Sequence, residues 1–398
     1  MQIDLPPLAY ELAQEVAAAG GRAYLVGGCV RDALMGRVPK DLDFEIHQIE
    51  PRALDTMLHR LGHVNAVGRS FGVYKLLRHG QELDVALPRR DSKVGPGHKG
   101  IEVQGDPWMG LAEATRRRDL RINSMLWDPL TKELIDLHGG QHDLSQRLLR
   151  EVDPQTFEED PLRALRAVQF AARFDFRLSP SLAQLCRDAP LDELPPERIK
   201  GELDKLLLKA DRPSLGLRLL AELGLGQRIL PRLVLDEALG QVVDRAAVQP
   251  SGEARMELLY AALLHRCGAS EREDCLNRLR YLERPARRKP FEALVTWSGQ
   301  DLHDEALREA ADHVPMPLLL ALVEARGGAG GLPERARQLG VWAAPLPRLL
   351  SGRDLHRMGC PAGRRLGEVL ERLRRAQYKG LVQGPEEARA LVQGWLRS

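Results

Sequence analysis

The spacing of apolar positions changes about a third of the way along this 398-residue chain. Up to about residue 140, short apolar runs typical of buried strands alternate with stretches in which apolar residues recur every three or four positions. From residue 142 onward the strand pattern stops, and leucine-rich helical periodicity continues to the C-terminus. The pattern predicts an α+β head followed by an all-helical body.

Within the head, apolar periodicity and glycine or proline boundaries define the individual elements. The predicted helices cover residues 8–19, 31–35, 54–61 and 111–125, and the predicted strands cover residues 24–26, 42–46, 73–77, 82–87 and 133–137. The segment 89–107 is polar and rich in glycine and proline. We expect it to form a loop, and a loop of that length in a compact domain indicates a functional segment.

Length and composition narrow the class of protein. A chain of 398 residues exceeds one ordinary hydrophobic core, so two to four domains are expected. With 43% hydrophobic and 29% charged residues, it has the composition of a soluble globular protein. No apolar run approaches the roughly 18 residues that span a bilayer, and the N-terminus lacks the basic and apolar regions of a signal peptide. We therefore expect no membrane partner.

Cysteine spacing and charge add two further expectations. The five cysteines are scattered and form no C-x-x-C pair, which favours a reducing cytoplasm over a zinc or disulfide framework. The net charge of +2 gives little overall attraction to nucleic acid. The arginines are nevertheless clustered, at Arg116, Arg117, Arg118 and Arg121 and again at Arg163, Arg166, Arg173 and Arg177. Such clusters can form local basic grooves.

Two aspartates one residue apart are the first candidates for chemistry. Alternate residues of a strand share a face, so Asp41 and Asp43 would point in the same direction. Adjacent carboxylates repel each other unless a cation lies between them, and Mg²⁺ held by one or two carboxylates usually serves substrate phosphates. A solvated strand edge is the alternative interpretation.

A glycine pair precedes these aspartates by some ten residues. Gly27 and Gly28 allow a ligand to approach the backbone closely, and the helix N-terminus that follows suits phosphate. Arg31 supplies a guanidinium fork for phosphate, and Asp32 is expected to fix the loop. An ordinary strand–turn–helix connection is the alternative. Together the loop and the aspartates favour metal-assisted phosphoryl or nucleotidyl transfer.

The segment 117–125 is the third candidate. If it is helical, Asp119 and Asn123 share a face at i and i+4, with Arg118 beside them. This arrangement could hold an arginine toward phosphate. A solvated basic helix end is the alternative.

The fourth candidate begins at Asp160, where Pro161 signals a helix start. Arg163 lies on the same side of that helix. A carboxylate accepts and a guanidinium donates, so the pair could accept cytosine and adenine and reject uracil and guanine. The alternative is that Asp160 only caps the helix.

Four motifs therefore follow one another in order: G-G-x-V-R-D, D-x-D, R-R-D-x-x-x-N and E-D-x-x-R. Over about residues 22–210, including the segment 197–203, this series resembles the bacterial (class II) tRNA nucleotidyltransferase and poly(A) polymerase family. The resemblance implies a polymerase-β-like nucleotidyltransferase head domain in residues 1–140. It also implies a helical nucleotide-recognition neck in residues 141–215 and a helical, tRNA-binding body and tail in residues 216–398.

The resemblance assigns roles to individual positions. Asp41 and Asp43 match the catalytic carboxylates that bind Mg²⁺, Asp160 and Arg163 match the protein template for CTP or ATP, and the segment 89–107 matches the flexible loop of the C-to-A switch. The full set of implied nucleotide-binding residues is Gly27, Gly28, Arg31, Arg118, Asp119, Asn123, Asp160, Arg163 and Arg166.

Three positions leave questions open. Gln169 stands where many members of the family have arginine, so the resemblance does not extend to that contact. Arg266 replaces the aspartate of a metal-phosphohydrolase helix, so no phosphohydrolase activity is expected. Asp84 is either a third acid of the site or the partner of a nearby arginine.

The predicted function is template-independent addition of CCA to the tRNA 3′ end from CTP and ATP, with release of pyrophosphate. The expected partners are the tRNA acceptor stem and 3′ end. Alternatives within the same chemistry are CC-only addition, A-only addition and poly(A) tailing. An alternative of another class is a catalytically silent RNA-binding protein.

Overall fold

A computed structural model describes residues 3–39, 41–66, 73–93, 101–249, 252–283, 285–328 and 330–397. Contacts divide the chain into two compact units, residues 1–206 with 219–229, and residues 207–218 with 230–398. Every strand in the described ranges belongs to the first unit. The predicted α+β head and helical body are confirmed, and the finer division at residues 140 and 215 stays a prediction.

The first unit is built around a mixed sheet. Its strands are β1 (Arg22–Val26), β2 (Asp43–His47), β3 (His63–Ala66), β4 (Val73–Arg78), β5 (Gln81–Ala86), β6 (Arg89–Lys93), β7 (Ile101–Gly105), β8 (Leu126–Trp127), β9 (Leu134–Ile135), β10 (Leu148–Leu149) and β11 (Arg177–Leu178). Seven of them form one sheet in the order β3-β4-β5-β2-β1-β8-β9. Within it β2 and β5 are parallel, and the other neighbours are antiparallel.

The helices of this unit flank and follow the sheet. They are α1 (Pro7–Ala18), α2 (Gly28–Leu34), α3 (Pro51–Leu61), α4 (Leu111–Arg116), α5 (Gly140–Ser145), α6 (Pro154–Glu158), α7 (Leu162–Phe174), α8 (Pro180–Asp188), α9 (Pro196–Lys209), α10 (Pro213–Glu222) and α11 (Leu225–Ile229). The division between the units passes through α9 and α10.

Strand β2 separates the core of the first unit from its functional face. Phe44 and Ile46 are buried in an apolar cluster that also contains Leu8 of α1 and Leu58 of α3. Side chains alternate along a strand, so Asp43 and the residues at even spacing from it take the opposite face. The sheet thus presents its polar residues on the side away from this cluster.

Two predicted elements of the head were wrong. Residues 89–107 are not one continuous loop, because β6 and β7 pair as an antiparallel ribbon; residues 94–100 lie outside the described ranges. The helix predicted for 111–125 ends at Arg116, and Leu120 is extended with φ −128° and ψ 145°. Leu120 instead bridges Glu151, and Arg121 N donates to Arg150 O at 2.9 Å. These distant backbone partners override the local helical periodicity.

The predicted neck is helical except for one short pair of strands. β10 and β11 pair in parallel, Leu148 opposite Arg177 and Leu149 opposite Leu178. Such two-residue strands are too short to give the alternating pattern by which strands are predicted.

The described part of the second unit is helical. Its helices are α12 (Glu237–Ala247), α13 (Arg255–Leu264), α14 (Ala269–Arg278), α15 (Pro285–Trp297), α16 (Asp304–Ala310), α17 (Met316–Ala325), α18 (Leu332–Gln338), α19 (Gly352–Arg357), α20 (Arg364–Tyr378) and α21 (Pro385–Arg397). A separate apolar cluster joins α19, α20 and α21 through residues such as Leu355, Leu373 and Val392. No described helix has the length and apolar character needed to cross a membrane.

Candidate active site

A cavity of about 490 Å³ in the first unit collects the residues of all four motifs. Ten of the eleven predicted site residues line it, and only Asp41 does not. The predicted residues in its wall are Gly27, Gly28, Arg31, Asp43, Arg118, Asp119, Asn123, Asp160, Arg163 and Arg166. The wall also contains Arg117 and Arg173, which belong to the predicted arginine clusters, and four residues that were not predicted, namely Arg89, Leu162, Phe170 and Arg198.

The glycine loop leaves room for arginine side chains. Gly27 precedes α2 with φ +73°, a conformation that favours glycine. A Cβ atom at Gly27 would lie 3.1 Å from Nη1 of Arg118, and one at Gly28 would lie 3.4 Å from Nη2 of Arg31. Gly27 therefore has both a backbone and a steric reason to be glycine.

The candidate metal-binding carboxylates lie at the start of β2. The strand begins at Asp43, so Asp41 is exposed in the bend before it and not on the strand as predicted. Asp84 of β5 lies directly opposite Asp43 in the parallel pair. Burial raises the pKa of the Asp43 carboxyl, and the neighbouring Asp84 and Asp41 carboxylates raise it further, against the opposing charges of Arg118 and Lys75. Asp43, at the start of β2, therefore has two further carboxylates in its neighbourhood.

Asp84 has a cationic neighbour of its own. Lys75 Nζ lies 3.0 Å from Asp84 Oδ1, and the two residues are paired across β4 and β5. The partner is therefore a lysine and not the arginine considered from the sequence. Asp84 therefore forms an ion pair with Lys75 and also lies beside Asp43.

The acids fit a divalent cation. Carboxylate oxygens are the donors that hard divalent cations prefer, and such a cation would stabilise the ionised form of Asp43 that burial disfavours. Among the described residues, no three or more His, Cys, Asp or Glu side chains are grouped closely enough to hold a metal ion by themselves, so the protein would supply only part of its ligands. The candidate donors are Asp41, Asp43 and Asp84.

Arg31 lies at the start of a hydrogen-bonded chain along the cavity wall. It is 3% exposed, and its Nε and Nη2 donate to Asp32 Oδ1 at 2.8 and 2.7 Å. Its Nη1 donates to Asn123 Oδ1. Asn123 Nδ2 donates to Asp119 Oδ1 at 3.0 Å, and Arg166 Nε donates to Asp119 Oδ2 at 2.8 Å. The chain joins α2 to α7.

The chain brings Asp119 and Asn123 together by a route other than the predicted one. The two side chains are in contact although no helix connects them, because the 3₁₀ turn Arg121–Asn123 turns Asn123 back toward Asp119. Burial would raise the pKa of Asp119, but Arg166 and the bond from Asn123 hold it below its usual value. Asp119 is therefore an ionised anchor for Arg166.

Two phenylalanine rings of α7 lie against the guanidinium groups of arginines near the cavity. The Arg31 guanidinium lies 5.3 Å from the Phe170 ring centroid and 4.7 Å from that of Phe174. Arg166 lies 5.4 Å from Phe170, and Arg173 lies 5.0 Å from Phe174. Such cation–π contacts fix the planes of the guanidinium groups.

The residues at the start of α7 have defined partners. Asp160 Oδ1 accepts from Leu162 N at 3.1 Å, as a helix cap does, and its Oδ2 accepts from Arg198 Nη2 at 2.9 Å. Arg163 donates to the backbone carbonyls of Thr156 and of Arg117, the latter at 2.7 Å. Asp160 therefore combines the capping geometry with a place in the cavity wall.

Glu45 and His47 are buried polar residues beside the cavity that the sequence did not predict as site residues. Glu45 is 2% exposed and His47 is 3% exposed, and Glu45 accepts from both Arg117 and Arg118. The signal was available, since polar residues at 45 and 47 continue the alternation that begins with the aspartates.

Gln169 and Arg266 depart from the family pattern, and the structure shows the surroundings of both side chains. Gln169 is 2% exposed, and within the described ranges its Nε2 has no hydrogen-bond acceptor. In the second unit, Arg266 Nη1 donates to Asp236 Oδ1 at 2.6 Å. Arg266, which replaces the aspartate of the metal-phosphohydrolase helix, thus forms an ion pair with Asp236.

Comparison with protein families defines the class. Residues 23–150 match the poly A polymerase head domain, and residues 175–235 match a domain described as "Probable RNA and SrmB-binding site of polymerase A". Over these two segments the chain is similar to the poly A polymerase family. This finding confirms the resemblance inferred from the four motifs.

Individual relatives show in more detail which proteins this chain is similar to. The Multifunctional CCA protein of Stenotrophomonas maltophilia is 40% identical over 236 residues, which are 58% of this chain and 55% of that protein. The chain thus spans about half the length of the curated relatives it matches. The CCA-adding enzyme of Bacillus stearothermophilus in complex with CTP superposes with a TM-score of 0.78 at 26% identity, over 99% of this chain and 98% of that one.

A more distant structure supports the fold alone. The Thermotoga maritima CCA-adding enzyme complexed with tRNA superposes with a TM-score of 0.71 at 20% identity, over 98% of this chain and 96% of that one.

Proposed function

We propose that this chain is a tRNA nucleotidyltransferase that adds C, C and A to the tRNA 3′ end from CTP and ATP. The observation that carries the proposal is the single cavity that joins Asp43, Arg31 and Arg118 with Asp160 and Arg163. It combines a metal-binding acid, cations for a triphosphate and a pair that can read a base. The 40% identity to a Multifunctional CCA protein supports the choice of CCA addition.

The proposed reaction is an in-line displacement. The 3′ hydroxyl oxygen of the tRNA bonds to the α-phosphorus of the nucleotide, and the bond to the pyrophosphate oxygen breaks. Arg31 and Arg118 hold the triphosphate by charge-assisted hydrogen bonds. Asp41 and Asp43 would hold Mg²⁺, and the bound ion would lower the pKa of the hydroxyl and stabilise the developing charge.

The choice of base is proposed to lie with the start of α7. An oxygen of Asp160 accepts from the amino group that both cytosine and adenine carry, and Arg163 donates to a ring acceptor. Uracil and guanine present the reverse pattern. Arg198 already bonds to Asp160 at 2.9 Å and so orients its carboxylate.

The remaining assignments follow the predicted domains. We propose a catalytic head in residues 1–140, a nucleotide-recognition neck in 141–215 and a body and tail in 216–398 that hold the acceptor stem by phosphate contacts and shape. The proposed location is the cytoplasm.

The test is to incubate the full chain with Mg²⁺ and tRNA that lacks its 3′ end, offering CTP and ATP singly and mixed. Sequencing of the extended ends should show CCA in the mixture. Addition of CC alone or of A alone would assign a partial enzyme, and long runs of A on generic RNA would assign a poly(A) polymerase. No incorporation under any combination would leave the RNA-binding alternative.

A further inference from the structure

Glu45 is a carboxylate beside the cavity that belongs to none of the four motifs. It lies on β2 two positions after Asp43 and is 2% exposed. Strand geometry places both residues on the same face of the sheet. A carboxylate so deeply buried must be paired to remain charged.

Both oxygens of Glu45 are occupied by protein donors. Oε2 accepts from Arg117 Nη2 at 3.1 Å and from Arg118 Nη2 at 3.3 Å. Oε1 lies 3.1 Å from His47 Nε2, and the other ring nitrogen of His47 lies 3.3 Å from Met109 O. Glu45 is 2% exposed and both of its oxygens already contact protein groups, so it acts through the arginines and not on a substrate.

The rest of the Arg118 guanidinium faces the glycine loop. Its Nη1 would lie 3.1 Å from a Cβ atom at Gly27, and no acceptor in the described part of the chain bonds to its buried Nε. Arg117 and Arg118 both line the cavity. One terminal nitrogen of each arginine is thus held by the same buried carboxylate.

We propose that Glu45 is a positioning residue that fixes Arg117 and Arg118 for the polyphosphate of the incoming nucleotide. The inference rests on the proposed function, because it takes a nucleoside triphosphate as the ligand. An arginine side chain has several rotatable bonds, and a fork that is oriented before binding reorganises less when phosphate arrives.

The charge state of Glu45 supports the geometry. Burial alone would raise the pKa of Glu45, but the hydrogen bond from His47 and the charges of Arg118 and Arg117 lower it to about 2. His47 and the two arginines are the charged or titratable groups that pair with it. The paired carboxylate is therefore ionised at neutral pH.

The inference predicts a loss that follows the polyphosphate and not the base. In the full chain without RNA, Glu45→Ala should weaken equilibrium binding of CTP by about tenfold and binding of CMP by less than about twofold. Glu45→Gln keeps the volume and one acceptor, so it should fall between Glu45→Ala and the unaltered chain. Glu50→Ala, an exposed acid just beyond the strand, is the matched control.

A double-mutant cycle separates positioning from folding. In an Arg118→Ala background, Glu45→Ala should weaken CTP binding by only about threefold, because one of its two targets is gone. Equal losses of CTP and CMP binding together with a lowered Tm, in both Glu45→Ala and Glu45→Gln, would assign a merely structural role. Unchanged CTP binding in Glu45→Ala would also overturn the inference.

The two proposals fail in different ways. Nucleotide binding is measured without RNA, so a chain that binds CTP through Glu45 but extends no tRNA would contradict the proposed function alone. A chain that extends tRNA but binds CTP equally well without Glu45 would contradict this inference alone.

Discussion

Each of the two units contains a cavity lined by arginine, and the balance of charge differs between them. The cavity of the first unit is lined by eight arginines and three aspartates. The cavity of the second unit, about 380 Å³, is lined by Arg348 and Arg374 with Asp312 and Glu371. The first has an excess of positive charge that an anion could neutralise, and the second does not.

The two cavities also differ in how many donors of their arginines bond to the protein itself. Arg374 donates from Nε to Asp312 Oδ2 at 2.7 Å, from Nη1 to Gln377 Oε1 at 2.7 Å and from Nη2 to Leu346 O at 2.8 Å. In the first unit the buried Nε of Arg118 has no acceptor among the described residues. Arg374 thus uses all three of its guanidinium nitrogens within the second unit, whereas Arg118 leaves one nitrogen without a protein acceptor among the described residues.

The largest effect on nucleotide incorporation is expected from the acids at the start of β2. Asp43→Asn or Asp41→Asn should reduce nucleotide incorporation into tRNA by about a thousandfold or more, because a metal ligand and a negative charge are lost together. CTP binding, which depends mainly on the arginines, should change by less than about threefold. The measurement is labelled CTP incorporation alongside equilibrium binding.

Glu371→Gln in the second cavity is the control for CTP binding. An Asp43→Asn variant that keeps more than about a tenth of the incorporation rate would argue against a metal at the start of β2.

A smaller effect is expected from the glycine loop. Gly27→Ala strains a backbone at φ +73° and places a methyl group 3.1 Å from Arg118 Nη1. CTP binding should fall by about tenfold as the guanidinium is displaced. Gly20→Ala is the matched control, because Gly20 has φ +85° with nothing within 4 Å of the added Cβ. Both variants should lose about 1 kcal/mol of stability, and equal CTP affinities would show that the space beside Arg118 is unimportant.

A change of selectivity is expected from the start of α7. Asp160→Ala should reduce discrimination against UTP by about tenfold, because the acceptor for the amino group of the base is lost. Asp236→Ala removes a comparable helix cap, with Asp236 Oδ1 accepting from Leu239 N at 2.8 Å, and should change stability only. Competition between CTP and UTP for incorporation measures the effect. Unaltered base choice would leave Asp160 as a cap worth about 1 kcal/mol.

The smallest effect on nucleotide binding is expected in the second cavity. Asp312→Asn should leave CTP binding unchanged and lower the free energy of unfolding by about 2 kcal/mol, because the Arg374 and Tyr378 groups lose their anionic partner. Thermal unfolding measures this loss. A matching loss of CTP affinity would contradict the contrast between the two cavities.

The same aspartate predicts a pH dependence. Burial would raise the pKa of Asp312, but its bonds with Arg374 and Tyr378 hold it below its usual value. A lowered pKa in the folded state means that the stabilisation is complete above the unfolded value of about 4 and is lost as the pH falls through the folded value. The unaltered chain should therefore lose more stability below about pH 4 than Asp312→Asn.

Local sequence signals predicted much of the head correctly. The hairpin β4–β5 and the helices α1 and α3 follow from periodicity and turn residues. The helix predicted for 111–125 failed because its C-terminal half bonds to the backbone at 150 and 151 instead of to itself. Periodicity reports which side chains are apolar, but it does not report which distant backbone a segment will pair with.

The sequence by itself determined the order of the motifs, the strand–turn–helix of the glycine loop and the acids that follow it. These features depend on neighbouring residues and on local backbone preference. Only the tertiary structure decided that Asp84 lies opposite Asp43, that Arg31 bonds to Asn123 across 92 positions, and that Glu45 holds Arg117 and Arg118. Strand register and chain topology set those contacts, and neither can be read from local spacing.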